Sequence, residues 1–514
     1  MYYFLNTIVN EDKSGIEHAQ LKRIAMFKKH HVPAKIVTRD FSLTFHDVIH
    51  QVGLQDSDVI NLFDFFGEST DFTEKPCGIT DLPISNNLEL LVNDQDPNGY
   101  MVRNAQRIIQ RIGMRAPDYK KIEVIRTYDA YGHLAKAEWY DTRGFRALEQ
   151  FFDADGNLLA EQVYNPQGKL FYQTFHQRSP FSNQKIVNTL YRIINWHGHD
   201  YSFNGQKELT RFFYDELNKQ DQEAVYIVDR TMELAWSVLN MHTDVVKYMH
   251  LHSAHLNNHN DIMHSSLNFN YEYALNNLKQ WDGVIMPTAR QEKDFQQRYG
   301  QQTPTYVIPV GVVPDEQFDK PLLPWQQRTK DLVIMVARLS PEKQQDQLIK
   351  AFKQVVAKIP NARLEFWGYA NEHEDQRLQK LVTDEHMEDY VAFKNYTRDI
   401  GKVYDQAQLS ILSSRTEGFS LALLESQAHG VPTIAYDVPY GPQEIIHDGE
   451  DGYLVKLNDV DALATKIIDL LSDQQKAATF SKNAYEHAKK FSATVIWKDW
   501  LKLMHDAQDR MAKQ

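Results

Sequence analysis

The densest run of residues able to do chemistry is Glu417-Gly418-Phe419-Ser420-Leu421, with Glu425 eight positions beyond Glu417 in a following helical run. Gly418 lets a ligand approach the backbone closely. A helix beginning near Ser420 points free N–H groups at an anion such as a diphosphate. Glu425, within the first two turns, would reach a diol such as a ribose. Glu417, on the strand-to-helix loop, would hold sugar hydroxyls. The bland alternative is a capped helix with two solvated glutamates.

Two further clusters follow strands. Arg338-Leu-Ser-Pro-Glu-Lys343 comes after a strand ending at Ala337. Its two cations fall on a loop at the C-terminal edge of a parallel sheet, where doubly wound folds bind ligands. They would neutralise a diphosphate and the charge it takes up on departure. His250-Leu-His252-Ser-Ala-His255 comes after the strand Val245 to Met249. The spacing allows a metal, but no carboxylate completes a ligand set before Asp261, so a sugar or phosphate contact is preferred and no metal is expected. Ser14-Gly15, between a strand and a helix, is a weak phosphate or acceptor loop. It is no GxGxxG fingerprint, so a nicotinamide or flavin fold has little support. The absence of GxxxxGK[ST] and GxSxG argues against a P-loop ATPase and a serine hydrolase.

The elements that position these clusters alternate. Tyr2 to Val9, Ile16 to His31 and Ala34 to Thr38 read as strand, helix and strand, the rhythm of a parallel doubly wound sheet. That rhythm stops near residue 78. Tyr128-Asp129-x-x-Gly132 recurs as Tyr140-Asp141-x-x-Gly144, Phe152-Asp153-x-x-Gly156 and Tyr164-Asn165-x-x-Gly168, with the glycines stepping by 12. An Asx side chain that bonds local backbone, followed by a glycine free to take positive φ, is a tight-turn signature. The runs between alternate with period 2, which predicts an antiparallel meander. It is either a structural platform or a sheet that binds an acceptor or partner. Glu208 to Lys219 then reads as helix, and Ala224 to Asp229, Val245 to His250 and Gly283 to Pro287 as strands. Pro309 to Arg328, with four prolines, reads as a linker. A second α/β domain begins at Asp331, with strands at Arg363 to Gly368, Val391 to Phe393, Leu409 to Leu412 and Pro432 to Tyr436. Ser481 to Lys513 reads as helix.

Composition bounds the function. A net charge of −13 argues against a general nucleic-acid binder. The single cysteine, Cys77, excludes an intrachain disulfide and a cysteine-rich zinc site and favours a reducing compartment. No apolar run of about 18 residues is present, and the first residues lack the pattern of a signal peptide.

The second domain resembles the nucleotide-sugar domain of retaining GT-B glycosyltransferases of family 4. The resemblance rests on Val336-Ala-Arg338-Leu-Ser-Pro-Glu-Lys343, Phe366-Trp-Gly368, Ser413-Ser-Arg-Thr-Glu417-Gly-Phe-Ser-Leu-Ala-Leu-Leu-Glu425, Gly430-Val-Pro-Thr-Ile-Ala-Tyr and the run from Gly441 to Val455. An N-terminal domain split by a meander is similar to bacterial enzymes that glycosylate cell-surface acceptors. One branch puts GlcNAc on Ser/Thr-rich adhesins; the other is the wall teichoic acid α-glycosyltransferases. Ser14 to Gln20 and Leu251 to His255 look closer to the adhesin branch.

The resemblance implies an α/β fold of two Rossmann-like domains, with an antiparallel sheet inserted in the first. The implied bounds are 1–78 and 201–318 for the split N-terminal domain, 79–200 for the insert, 319–490 for the nucleotide-sugar domain and 491–514 for a terminal helix returning to the first domain. By resemblance, Arg338 and Lys343 bind the donor diphosphate and stabilise departing UDP, and Glu425 holds the ribose. Glu417 and the backbone of Gly418, Phe419, Ser420 and Leu421 orient the sugar. His252 meets the sugar–phosphate, with His255 its competitor, Gly15 admits the donor phosphates or the acceptor, and Tyr396 lies near the uracil. No metal or cofactor is implied beyond the UDP-glucose or UDP-GlcNAc donor, which is a substrate. The expected location is cytoplasmic, with room for peripheral contact at the inner face of the membrane. The expected partner is a homologous non-catalytic subunit or a second copy through the meander, and no nucleic acid. A non-catalytic binding paralogue and a phosphorylase- or sucrose-synthase-like enzyme are the other readings. Arg338, Lys343, Glu417 and Glu425 together argue against the first, and the meander against the second.

Overall fold

A computed structural model describes residues 1–11, 13–179, 182–371 and 373–512, with the backbone alone for 182–184. Its contacts divide it into two units, Met1–Lys13 with Val32–Val245, and Ser14–His31 with Val246–Gln514.

The first unit carries four parallel strands in the spatial order Val225–Val228, Tyr2–Asn6, Ala34–Thr38, Val59–Asn61. Tyr2 pairs with both Val225 and Ala34, and Ile36 with Val59. Val225–Val228 and Tyr2–Asn6 are buried along their whole length, which is why they read as continuous apolar runs. Between Val59–Asn61 and Val225–Val228 the chain forms a ten-stranded antiparallel sheet, each strand beside its sequence neighbour from Glu89–Val92 to His199–Phe203. The 12-residue repeat supplies its middle. Gly132, Gly144, Gly156 and Gly168 all have positive φ, from 74° to 100°. The Oδ1 atoms of Asp129, Asp141, Asp153 and Asn165 each accept the N–H two residues on, at 2.8–3.1 Å. The repeat is therefore four copies of one Asx turn.

One of the four turns differs. A Cβ on Gly132, Gly156 or Gly168 would meet nothing within 4 Å, whereas one on Gly144 would lie 2.0 Å from the Lys75 carbonyl oxygen. That turn is docked. Lys75 N–H donates to the Arg143 carbonyl at 2.8 Å, and buried Arg143 bonds Asp141 at 2.9 Å, Asp64 at 3.2 Å and the Ser69 carbonyl at 2.8 Å. Asp64 also faces His46 at 3.1 Å. Burial pushes the Asp64 carboxyl up, but the His46 and Arg143 charges outweigh it and the net direction is down.

The second unit carries the parallel strands Val246–His250, Gly283–Met286 and Thr305–Val307, paired in that order. It also holds a six-stranded parallel sheet in the order Val391–Lys394, Arg363–Trp367, Leu332–Val336, Leu409–Leu412, Thr433–Tyr436, Gly452–Val455. In chain order this is 3-2-1-4-5-6, the doubly wound arrangement, with its switch point between Leu332–Val336 and Leu409–Leu412.

Two expectations need correction. Pro309 to Arg328 is no free linker: Val310, Val312, Val313, Trp325 and Arg328 are buried. Arg328 donates to the carbonyls of Tyr404, Ala407 and His429, and burial pushes its guanidinium down to about 10. The prolines shape a packed segment in which Val310 to Val313 is continuously buried. Ser481 to Lys513 is not one helix but Gln474–Ala488 and Ala493–Met511, parted by a 3₁₀ turn at Lys489–Phe491; Lys513 lies outside the described residues. Phe491 is buried at that break, which re-aims the last helix. Trp497 and Trp500 of that helix pack edge-on against Phe27 at 5.1 and 5.4 Å, and Trp497 stacks on His30 at 4.1 Å.

Candidate active site

The switch point of the six-stranded sheet brings two loops together. Leu332–Val336 and Leu409–Leu412 are neighbours in register, Val333 opposite Leu409. Their outgoing loops leave the same edge. Ser413 Oγ ties them by donating to the Lys343 and Gln344 carbonyls at 2.9 and 3.0 Å, and Arg415 N–H donates to the Glu342 carbonyl at 2.8 Å. Lys343 thereby meets Glu417, Nζ to Oε1 2.7 Å, with both side chains largely buried. Arg338 faces outward instead and pairs with Glu342 at 3.2 Å, both more than 40% exposed. The two cations share a loop but not a partner.

The loop carrying Glu417 is gripped from two sides. A Cβ on Gly418 would lie 2.3 Å from the His252 carbonyl oxygen and 2.7 Å from Ser253 Cα. A Cβ on Gly441 would lie 1.7 Å from the Phe419 carbonyl oxygen. Tyr440 N–H donates to the Glu417 carbonyl at 2.8 Å. Phe419 is buried, and Ser420 turns the chain with φ +78° into the helix Leu421–Ala428. The first N–H groups of that helix have no partner within it, so its N-terminus favours an anion.

A second helix N-terminus lies beside it. Ser14 caps the helix Gly15–Lys29, and its N–H donates to Glu17 Oε2 at 2.6 Å. A Cβ on Gly15 would be 3.9 Å from Leu421 Cδ1, an ordinary contact, so Gly15 marks proximity rather than a steric need for glycine. Further along this helix Lys22 Nζ pairs with Glu425 Oε1 at 2.7 Å, and Tyr404 Oη approaches Glu425 Oε2 at 3.5 Å. Burial pushes the Glu425 carboxyl up, but the Lys22 ammonium, helped by His18 and His429, holds it below the usual range. Lys22 escaped the sequence reading. Its only signal was helical spacing, since Ser14, His18 and Lys22 recur every four residues on one face.

The histidines separate by burial. His255 has no exposed surface, and its ring lies near-parallel to Tyr440 at 6.0 Å and 5.7 Å from Phe295. Burial pulls it down to about 3, so it is neutral at physiological pH. His252 is half-buried, with its ring 4.3 Å from His250. Its N–H and that of Ser253 both donate to Tyr271 Oη at 2.9 Å, which fixes the backbone lying on Gly418. Tyr396, on the loop after Val391–Lys394, faces Tyr369 at 6.4 Å. Tyr369 was not foreseen; its signal was its place just after Phe366-Trp-Gly368. Gly368 admits this crossing, since a Cβ there would lie 2.2 Å from the Ala337 carbonyl oxygen.

Two helix N-termini, Lys343 and two carboxylates paired with lysines can thus hold an anionic diphosphate next to hydroxyl-bearing groups. Among the described residues no helix is long and apolar enough to cross a membrane.

Comparison with known proteins agrees with this chemistry. Residues 323–487 match the family described as glycosyl transferases group 1. The UDP-N-acetylglucosamine–peptide N-acetylglucosaminyltransferase GtfA subunit of Streptococcus pneumoniae serotype 4 is 25% identical over 98% of this chain and 99% of its own. The poly(ribitol-phosphate) α-N-acetylglucosaminyltransferase of Staphylococcus aureus is 24% identical over 65% of this chain and 66% of its own. The crystal structure of the pneumococcal O-GlcNAc transferase GtfA in complex with UDP and GlcNAc superposes with a TM-score of 0.83 at 22% identity, covering 99% of each chain. Residues 323–487 thus match the glycosyl transferases group 1 family, and the chain as a whole has the GT-B fold.

Proposed function

We propose that this protein moves a hexose, GlcNAc or glucose, from a UDP-sugar with retention onto hydroxyls of a bacterial cell-surface acceptor, first choice the Ser/Thr of a serine-rich adhesin. The observation that carries the reading is the pair of lysine–carboxylate contacts, Lys343–Glu417 and Lys22–Glu425, set beside two helix N-termini. In this reading Lys343 and Arg338 bind the diphosphate, Glu425 the ribose, and Tyr396 the uracil side. Glu417 and the backbone from Gly418 to Leu421 orient the sugar. His252, rather than buried His255, meets the sugar–phosphate, and Gly15 borders the phosphates. The acceptor oxygen bonds the anomeric carbon as that carbon's bond to the β-phosphate oxygen breaks. The acceptor proton passes to the departing phosphate, whose charge Lys343 and the helix N-termini stabilise. No metal or cofactor is required.

The pneumococcal relative supports the peptide acceptor, and its designation as a subunit supports a homologous partner; a second copy bound through the antiparallel sheet is the alternative. We take that sheet, 79–200, as an insert between 1–78 and 201–318, with the donor domain at 319–490 and a returning helix at 491–514. The enzyme would act at the cytoplasmic side, with peripheral membrane contact. The staphylococcal relative favours a second reading, transfer to wall teichoic acid. The test is UDP release from UDP-GlcNAc and UDP-glucose with a Ser/Thr-rich peptide or a poly(glycerol or ribitol phosphate) acceptor. Turnover on peptide, lost in Glu417→Ala, is the expected result. Turnover on polymer alone moves the assignment to teichoic acid, and failure to bind either donor sinks the transferase reading.

A further inference from the structure

Away from the donor site, three side chains, two of them four residues apart and the third 36 residues on, converge on one point. His447 follows the helix Gly441–Ile445, Asp451 precedes the strand Gly452–Val455, and His487 lies in the last turn of Gln474–Ala488. His447 Nδ1 and His487 Nδ1 lie 2.9 and 2.8 Å from the same oxygen, Asp451 Oδ2. The three ligating atoms all fall within 4.8 Å of one another.

Three features distinguish this from a surface hydrogen bond. The Asp451 side chain is fully buried, while His447 and His487 are 39% and 32% exposed, so solvent reaches the cluster from the imidazole side only. Asp451 is held from behind, because Oδ1 accepts the His447 N–H at 2.9 Å and Gln427 Nε2 at 3.2 Å. Gln427 is itself buried and also donates to Thr433 Oγ1 at 3.2 Å. Finally, the two rings are 4.2 Å apart and tilted by 47°, with both Nδ1 edges aimed at Oδ2.

We propose that His447, Asp451 and His487 bind a divalent transition-metal cation of the Zn²⁺ class. Two imidazole nitrogens and one carboxylate oxygen suit Zn²⁺ rather than Mg²⁺ or Ca²⁺, which want oxygen ligands. Bonds of about 2.0–2.2 Å in a tetrahedral site put ligand atoms roughly 3.3–3.5 Å apart, so small rotations of the two exposed rings make room. The ion takes the Nδ1 lone pairs, each imidazole keeps its proton at Nε2, and water completes the fourth position. Gln427 is the outer partner that orients the carboxylate. The ion clasps the helix Gln474–Ala488 to the turn before Gly452–Val455, where Asn483 Nδ2 already donates to the Glu450 carbonyl at 2.9 Å. Lys490, whose Nζ donates to the Glu444 carbonyl at 2.8 Å, is the nearby cation.

The test uses the full chain stripped by chelator and re-equilibrated with Zn²⁺, beside His447→Gln and His487→Gln. Both replaced side chains are partly exposed and outside the donor site, so folding and UDP release serve as controls. Stoichiometric Zn²⁺ uptake is expected in the parent. Affinity in each variant should fall by at least the roughly 10- to 100-fold that loss of an outer partner costs. Co²⁺ should give a tetrahedral-type visible absorption that both variants lose. Zn²⁺ should raise the melting midpoint of the parent alone. No stoichiometric uptake, equal affinity in parent and variants, or loss in only one variant overturns the proposal.

Discussion

The ten-stranded antiparallel sheet and the loops of the six-stranded sheet are built on opposite principles. In the antiparallel sheet each strand pairs with its sequence neighbour, and each turn of the repeat is closed by an Asx side chain that accepts the N–H two residues on. At the six-stranded sheet every contact that matters joins distant segments: Lys343 with Glu417, Lys22 with Glu425, Gly418 with His252. Local closure makes a repeat tolerant, because each turn answers only to itself. Long-range closure makes a site fragile, because each glycine or lysine answers to a partner elsewhere. The Asp141–Gly144 turn belongs to the first region by sequence and to the second by structure.

That exception offers the largest test. Arg143→Ala leaves Asp64 and Asp141 buried without their guanidinium and should cost about 3–5 kcal/mol, read by denaturant unfolding. The equivalent residues of the other turns, Tyr131, Asp155 and Gln167, should tolerate alanine within about 0.5 kcal/mol, as surface positions do. If Arg143→Ala behaves like them, the docked turn is no exception. In the site, Lys343→Ala should lower UDP-sugar transfer by about 10²–10³-fold, the loss typical of one preorganised group facing developing charge. The same change leaves the largely buried Glu417 without its ammonium, so the unfolding midpoint should fall as well and is measured beside the transfer rate. Next, Gly156→Ala places a side chain in the left-handed region and should cost roughly 1–2 kcal/mol. Gly144→Ala should cost clearly more, because its Cβ also meets the Lys75 carbonyl oxygen. Equal effects would mean that the docking seen at Lys75 yields freely.

A further test concerns pH. His255 is depressed from its ordinary 6.5 to about 3 by burial, so the unfolded chain binds its proton first. Its contribution to stability is full above pH 6.5 and is lost as pH falls toward 3. Denaturant titrations across that window should show stability declining, and His255→Phe should flatten the decline.

Legibility followed the same division. The repeat was readable because its Asx side chain and its glycine lie within four residues of each other, and the structure returned the expected positive φ at all four glycines. The central strands were readable as unbroken apolar runs. Glu417, Gly418 and the start of the helix at Leu421 were readable because one short segment carries them. Lys22 was not, since 403 residues separate it from Glu425 and its spacing from Ser14 and His18 marks a shared helix face but no partner. Nor was the burial of Val310, Val312, Val313 and Arg328, because four prolines outweighed a short apolar run that only packing shows to be buried.

By itself the sequence determined the periods: strand and helix rhythm, the 12-residue turn, and the residue types at the edge of the second sheet. These depend on neighbours a few bonds away, where propensity and local hydrogen bonding decide. The tertiary structure alone decided the pairings. It set Lys343 on Glu417 and Arg338 on Glu342, buried His255 and left His252 half-exposed, and gathered His447, Asp451 and His487 around one oxygen. Which charge meets which depends on how sheets and helices close in three dimensions, and linear spacing carries no record of that closure.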